Sequence, residues 1–187
     1  MTKSKIDLRF GLIAMLIFFA ALSRLLPHPP NFAPIAGMGL FGAAYFSKKY
    51  FAFLIPFIAY WFSDLILNNV VYAQYYDGFQ WFGSFAVYAS FALIIVLGLV
   101  FLKKVNLNNL LLTGVSSSIL FFLITNFGSW IGGVTYPQTF SGLIASYVAG
   151  IPFFWNTLAG DLFYISVLFG SYELVKKRYP QLLTQSI

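Results

Sequence analysis

Long apolar runs alternate with short polar breaks along almost the whole chain. The runs fall at about 10–26, 33–47, 51–68, 81–102, 109–131 and 152–175, with a further apolar piece at about 140–150. Each approaches the roughly 20 residues a helix needs to cross a bilayer. The pattern predicts one domain, 1–187, of six transmembrane helices, with a short helix or re-entrant piece at 140–150. The breaks carry turn chemistry. Pro27, Pro29, Pro30 and Pro34 prevent any helix from running from the first apolar stretch into the second. Gly132–Gly133 and Tyr136–Pro137 make a later turn, and Pro152 is expected to restart the chain before the last span.

Composition turns that pattern into a membrane assignment. Only 9% of the 187 residues are charged, against about 25% in soluble domains. Apart from Arg24, the basic residues stand at Lys3, Lys5 and Arg9, Lys48–Lys49, Lys103–Lys104 and Lys176–Arg178, at the ends of apolar runs. The intervening loops 27–33, 68–80 and 132–150 contain no Lys or Arg. The positive-inside rule then places every cluster, and both termini, on the cytoplasmic side of six spans. Basic residues dispersed in this way report topology and argue against a nucleic-acid surface. The opening basic residues and first apolar run also fit a secretory signal, but the remaining spans need an even partner, so the run is expected to be retained.

A few polar side chains interrupt the apolar runs. Charges within lipid cost about 2.5–3.5 kcal/mol each at a span centre, so Arg24, Asp64 and Asp161 are expected to pair or to line a wet cavity. Arg24, Asp64, Asn126 and Asn156 lie near the outer ends of their spans, and Asp161 lies deeper. This one-sided polarity fits a cavity open only to the outside; a continuous pore would need polar groups throughout. The plainer alternative makes Arg24 and Asp64 an ion pair joining spans one and three, and Asp161 a buried hydrogen-bonding group. Aromatic residues also crowd the outer loops. They are read either as an interfacial belt or as the wall of a flat, partly apolar ligand's site. The candidate ligand-binding set is Asn31, Asp64, Trp81, Tyr88, Asn126, Trp130, Tyr136 and Asn156, with Arg24 and Asp161 in structural or gating roles. Ala14, Gly39 and Ala43 provide small helix surfaces, suited either to internal packing or to docking a membrane partner. The chain has no Cys and one His, His28. That leaves almost nothing for an all-protein zinc or copper site.

The segments PHPPNFAPIAGMGLFGAAYF, SDLIL (63–67) and NFGSWIGGVTYPQTFSGLIASYVAGIPFFWNTLAGDLFY (126–164) resemble BtuM-type proteins. These are solitary S components of energy-coupling-factor (ECF) vitamin transporters, associated with cobalamin uptake. The resemblance covers nearly the whole chain. It implies a six-helix S-component-like bundle in the bacterial cytoplasmic membrane, with an outward cavity covered by the outer loops. It implies a vitamin ligand, most directly cobalamin or a related corrinoid, with another vitamin such as riboflavin as the alternative. Alongside the lipid bilayer it implies either an ECF energising module, a transmembrane subunit with ATPases, as partner, or a protein that acts alone. Small residues of spans one and two would face that module. One departure stands out. The family places a cobalt-ligating Cys after the SDL motif, whereas the region Tyr76–Tyr88 has none here, leaving His28 as the one candidate ligand to a corrinoid cobalt.

Other function classes fare less well. Serine chemistry in a membrane needs a base near the nucleophile, and the only His lies in the Pro-rich turn. Asp64 and Asp161 are expected at different depths, which does not suit an aspartyl pair. No enzyme activity is therefore expected, and a small-solute channel or structural membrane subunit is the remaining alternative.

Overall fold

The computed structural model describes residues 8–180, which form helices and connecting turns with no strand. Lys3 and Lys5 lie outside the described residues. Six helices follow in order: α1 (Leu8–Leu22), α2 (Ile35–Tyr45), α3 (Lys49–Ile66), α4 (Phe85–Phe101), α5 (Leu107–Ile131) and α6 (Phe140–Arg178).

The helices begin and end where local chemistry dictates. The α5 N-terminus is capped by Asn106, whose side chain accepts from Asn109 N–H at 2.8 Å. Thr139 accepts from Gly142 N–H at 3.2 Å and caps α6. Each satisfies a first-turn donor that has no intrahelical partner. Pro34 occupies the corresponding position before α2 and contributes no side-chain cap. The far end of α3 widens into one π-helical stretch, Leu67–Val71, where Tyr72 N–H reaches back to the Leu67 carbonyl at 2.7 Å.

The segment 140–150 is not a separate piece. It is the first part of α6, which runs unbroken for 39 residues through Pro152. Proline removes one intrahelical hydrogen bond, but packing against α5 holds the helix on both sides. Tyr147 donates to the Leu123 carbonyl at 2.9 Å, and the Phe122 ring packs against both Tyr147 and Phe154. At 1.5 Å per residue α6 is about 58 Å long, roughly twice the hydrocarbon thickness of a bilayer.

The core sits around α2, which touches each of the other five helices. Every residue from Ile35 to Ala43 is buried. Its glycines permit this enclosure. A Cβ at Gly37 would come within 2.8 Å of Tyr164 Cβ, and one at Gly42 within 2.9 Å of Pro56 Cγ. Gly39 and Ala43 face α4, against Phe91 and Gly98 respectively. The expectation that these two dock a partner is therefore corrected, because close packing inside the chain has already consumed their surfaces. Ala14 lies on a different face, in a shallow apolar depression between α1 and α3 with Met15, Phe18, Ile55 and Ile58. Aromatic rings complete the core at the far end of α2. Phe41 meets Phe169 edge-on at 5.3 Å and packs beside Tyr45 and Tyr172.

The outer faces are apolar as well. Leu54, Ile58 and Phe62 on α3, Ile119, Leu123 and Phe127 on α5, and Phe163 and Val167 on α6 are all exposed. Helices apolar inside and out suit a lipid environment. Four helical stretches are long and apolar enough to cross a membrane: Leu8–Leu25, Lys49–Val71, Leu107–Ile131 and Phe140–Arg178. The architecture is compatible with a multi-pass membrane protein. The expected second and fourth spans appear as shorter apolar helices, α2 and α4, of 11 and 17 residues.

Basic residues gather at one end of the bundle. Arg9 donates to the Tyr45 carbonyl at 3.0 Å, beside Lys48. The Tyr45 hydroxyl in turn donates to Glu173 at 3.0 Å, next to Lys176–Arg178. Gly98 lies against Ala43, so the end of α4 and Lys103–Lys104 come to the same side. Among the described residues Arg24 is the one basic side chain at the opposite end.

Candidate functional site

Opposite the basic clusters, four chain segments converge on one charged node. Arg24, in the short 3₁₀ turn Ser23–Leu25 after α1, pairs with Asp64 near the end of α3, Nη2 to Oδ1 at 3.0 Å. Its Nη1 donates to Ser63 Oγ at 2.6 Å and to the Tyr60 carbonyl at 3.3 Å, and the guanidinium lies 4.1 Å from the Tyr60 ring centre. The second Asp64 oxygen accepts from Gly83 N–H and from the Tyr88 hydroxyl, both at 3.1 Å. Both side chains are about nine-tenths buried. All their principal hydrogen-bonding capacity is met within the chain, as buried charges require. The ion pair between spans one and three is thus present, extended to α4 and the loop before it.

Beside this node lies a cavity of about 350 Å³. Arg24, His28, Tyr60, Tyr72 and Asp161 give it polarity; Ile35, Leu67, Val87, Ile94 and Phe121 give it an apolar wall. A second cavity of about 250 Å³ shares Asn31, Val87, Phe121 and Thr157 with the first. It continues between α5 and α6 past Thr125, Asn126 and Ser129, with Phe122, Phe153 and Phe154 around it. Together they make one recess with a charged lobe and a neutral polar lobe.

The Pro-rich turn forms the rim. The Asn156 amide donates to the Pro30 carbonyl at 3.0 Å, and Gly160 lets the turn lie directly on α6, where a Cβ would come within 3.0 Å of Ala33 N. Asn31 has φ +65°, the one non-glycine residue at positive φ among the described residues. Such a conformation costs about 1–3 kcal/mol and persists only where the surroundings impose it. It holds Asn31 at the junction of both lobes. The polar loop after α3 is drawn tight at its base. Asn69 donates to the Gln80 carbonyl at 2.8 Å and accepts from Gln80 N–H at 2.7 Å.

Of the eight expected binding residues, Asn31 and Asn126 line the recess. The other six do not line either lobe. Asp64 is enclosed in the node, and Tyr88 is its hydrogen-bond partner. Asn156 holds the rim. Trp130 donates to the Thr139 carbonyl at 3.0 Å and fastens the turn before α6. Trp81 is 63% exposed, with its carbonyl accepting from Trp61, and Tyr136 lies on the loop before α6; neither reaches either lobe. Asp161 Oδ1 accepts from Ala36 N–H at 3.2 Å and Oδ2 from Ser118 Oγ at 2.6 Å, at the edge of the first cavity.

His28 is at the recess but poorly disposed toward a metal. Nδ1 faces the Pro29 carbonyl at 2.9 Å and Nε2 the Arg24 carbonyl at 3.2 Å, so neither nitrogen turns a lone pair into the cavity. The expectation of a cobalt ligand at His28 is corrected on this ground. No group of three or more His, Cys, Asp or Glu residues suited to a metal occurs among the described residues.

Sequence reasoning overlooked Tyr60, Thr125, Ser129 and Thr157. A legible signal existed for two of them: Thr125 and Ser129 are four apart and flank Asn126 on one helix face. No curated protein and no solved structure matches the chain. A family model does match, over residues 4–182, and the chain belongs to that family, DUF6580, a family of unknown function.

Proposed function

We propose that this chain is a substrate-binding membrane subunit for vitamin uptake, an S-component-like protein of the bacterial cytoplasmic membrane. The observation that carries the reading is the recess of two joined lobes, confined to the end opposite the basic clusters. By the positive-inside rule that end is extracytoplasmic, the side from which a scarce solute is captured. All six helices traverse the membrane in this reading, with both termini cytoplasmic. The shortness of α2 is no obstacle, because protein surrounds it and lipid does not touch it. An energising module of ECF type would couple capture to release inside.

Cavity size bears on the ligand. The main lobe of about 350 Å³ lies near the small end of the range for drug-sized molecules. With no Cys and with His28 turned to carbonyls, this favours a vitamin smaller than a corrinoid. The test is direct. Protein purified in mild detergent is analysed by mass spectrometry for a co-purifying small molecule. It is then titrated with thiamine, pyridoxamine, pyridoxine, riboflavin, biotin, cobinamide and cobalamin. Submicromolar binding of one vitamin class is expected. No binding to any of them, together with normal growth of a vitamin auxotroph lacking this gene, would sink the proposal.

A further inference from the structure

We infer that the lobe between α5 and α6 receives an amino-bearing, cationic end of the ligand. This rests on the vitamin-binding reading and adds the chemical class that the lobe selects.

The argument begins with where the hydroxyl protons go. Thr125 Oγ1 donates to the Phe121 carbonyl at 2.8 Å, Ser129 Oγ to Thr125 at 3.0 Å, and Thr157 Oγ1 to Phe153 at 3.1 Å. Asn126 Nδ2 donates one of its two protons to the Phe122 carbonyl at 2.8 Å. That bond also settles the orientation of the amide, because a carbonyl cannot pair with Oδ1. Each of these groups has therefore turned its donor back onto its own helix. What this wall has left to offer a ligand is chiefly acceptor capacity, on the oxygens of Thr125, Ser129, Thr157 and Asn126. Such a wall complements a ligand group rich in N–H donors. Free donors remain in the second Asn126 proton and in Asn31 and Ser84.

Two further features have the same sign. Ser129 lies in the last turn of α5, whose C-terminal end carries partial negative charge and favours cations. Phe121, Phe122, Phe153 and Phe154 also line the lobe, and a cation that meets the face of such a ring is attracted to it. No Lys or Arg lines this lobe; Arg24 belongs to the other one. The recess is thus sorted, with the basic group in one lobe and acceptors with aromatic residues in the next.

The packing of Asn126 is also specific. A Cβ at Gly150 would overlap its side-chain amide, so the close approach of α6 determines where Oδ1 sits.

The test uses full-length protein in lipid nanodiscs and matched probes. Pyridoxamine and pyridoxine share a ring and differ by an amine in place of a hydroxyl; thiamine adds a permanently cationic ligand, and riboflavin a neutral one. Thiamine or pyridoxamine is expected to bind at least about tenfold more tightly than its neutral counterpart, the size of a charge-assisted hydrogen bond. Thr125→Val, which keeps the side-chain shape, should weaken binding of the cationic probes more than that of the neutral ones and so reduce that preference. Asn126→Leu provides a second variant, and thermal unfolding confirms that both fold. Tight binding of riboflavin or pyridoxine without preference for an amine overturns the inference and leaves the vitamin reading standing. Equal loss of cationic and neutral binding in Thr125→Val also overturns it. Binding of none of the probes overturns the inference, and the vitamin reading falls with it only when biotin, cobinamide and cobalamin also fail to bind.

Discussion

The Asp161 carboxylate closes the amino end of α2, accepting a hydrogen bond from Ala36 N–H at 3.2 Å across 125 positions of sequence. A helix start has unpaired N–H groups and partial positive charge, and Pro34 gives α2 no side-chain cap of its own. A carboxylate from α6 takes over that task, with Ser118 of α5 holding its other oxygen at 2.6 Å. Three helices therefore meet at one buried acid. Asp161→Ala should lower stability by about 1–3 kcal/mol by leaving a buried donor unmet. Asp161→Asn should be tolerated, because its amide oxygen still accepts from Ala36 and its NH₂ donates to Ser118. Thermal unfolding in detergent compares the two, and equal losses would contradict this role.

The Arg24–Asp64 node makes a coupling prediction. Removing either charge alone leaves the other buried, at a cost of about 3–5 kcal/mol. Arg24→Met with Asp64→Leu should cost clearly less than the two single changes together. A double-mutant cycle on unfolding free energies measures the difference, and simple additivity would show that the pair does not act as a unit.

Glycines should divide by surroundings. Gly37→Ala is expected to destabilise by about 1–3 kcal/mol, since the added carbon meets Tyr164 in a packed core. Gly11→Ala and Gly170→Ala, with nothing within 4 Å of the new carbon, should instead stabilise by up to about 1 kcal/mol through helix propensity. Unfolding midpoints of the three variants should move in opposite directions.

Asn31 couples rim geometry to binding. Asn31→Gly should keep the fold, because glycine accepts φ +65° readily, while Asn31→Ala should cost about 1 kcal/mol. Both variants should weaken ligand binding, as each removes the amide shared by the two lobes. Parallel unfolding and titration of the variants separates backbone strain from ligand contact.

Orientation is open to chemical labelling, since the chain has no cysteine. Tyr75→Cys, on the loop after α3, should react with a membrane-impermeant maleimide added to intact cells. Lys103→Cys, at the opposite end, should react only after lysis. The reverse pattern would place the recess on the cytoplasmic side and remove its role in capture from outside.

The apolar runs and the clustered charges were legible in the sequence because both follow from the bilayer as solvent. Lipid demands uninterrupted apolar helices, and basic residues mark their ends whatever the neighbouring helices do. The same reasoning found the Pro-rich rim and the ends at which Arg24, Asp64 and Asn126 lie. Polar side chains in an apolar run reveal depth, but a hydrogen bond needs a partner, and partners come from elsewhere in the chain. Asp64 could not be seen to satisfy Gly83 and Tyr88, nor Asn156 to hold Pro30, until the loops had folded back. Trp130 read as a binding aromatic for the same reason, although its N–H fastens Thr139. The small residues of α2 showed that something approaches closely, and only the tertiary structure decided that it was this chain's own α3, α4 and α6. Sequence thus determined the apolar helices, the charge clusters at their ends and the end that carries polarity. Three-dimensional packing decided which polar atoms are consumed inside the protein and which are left facing the recess.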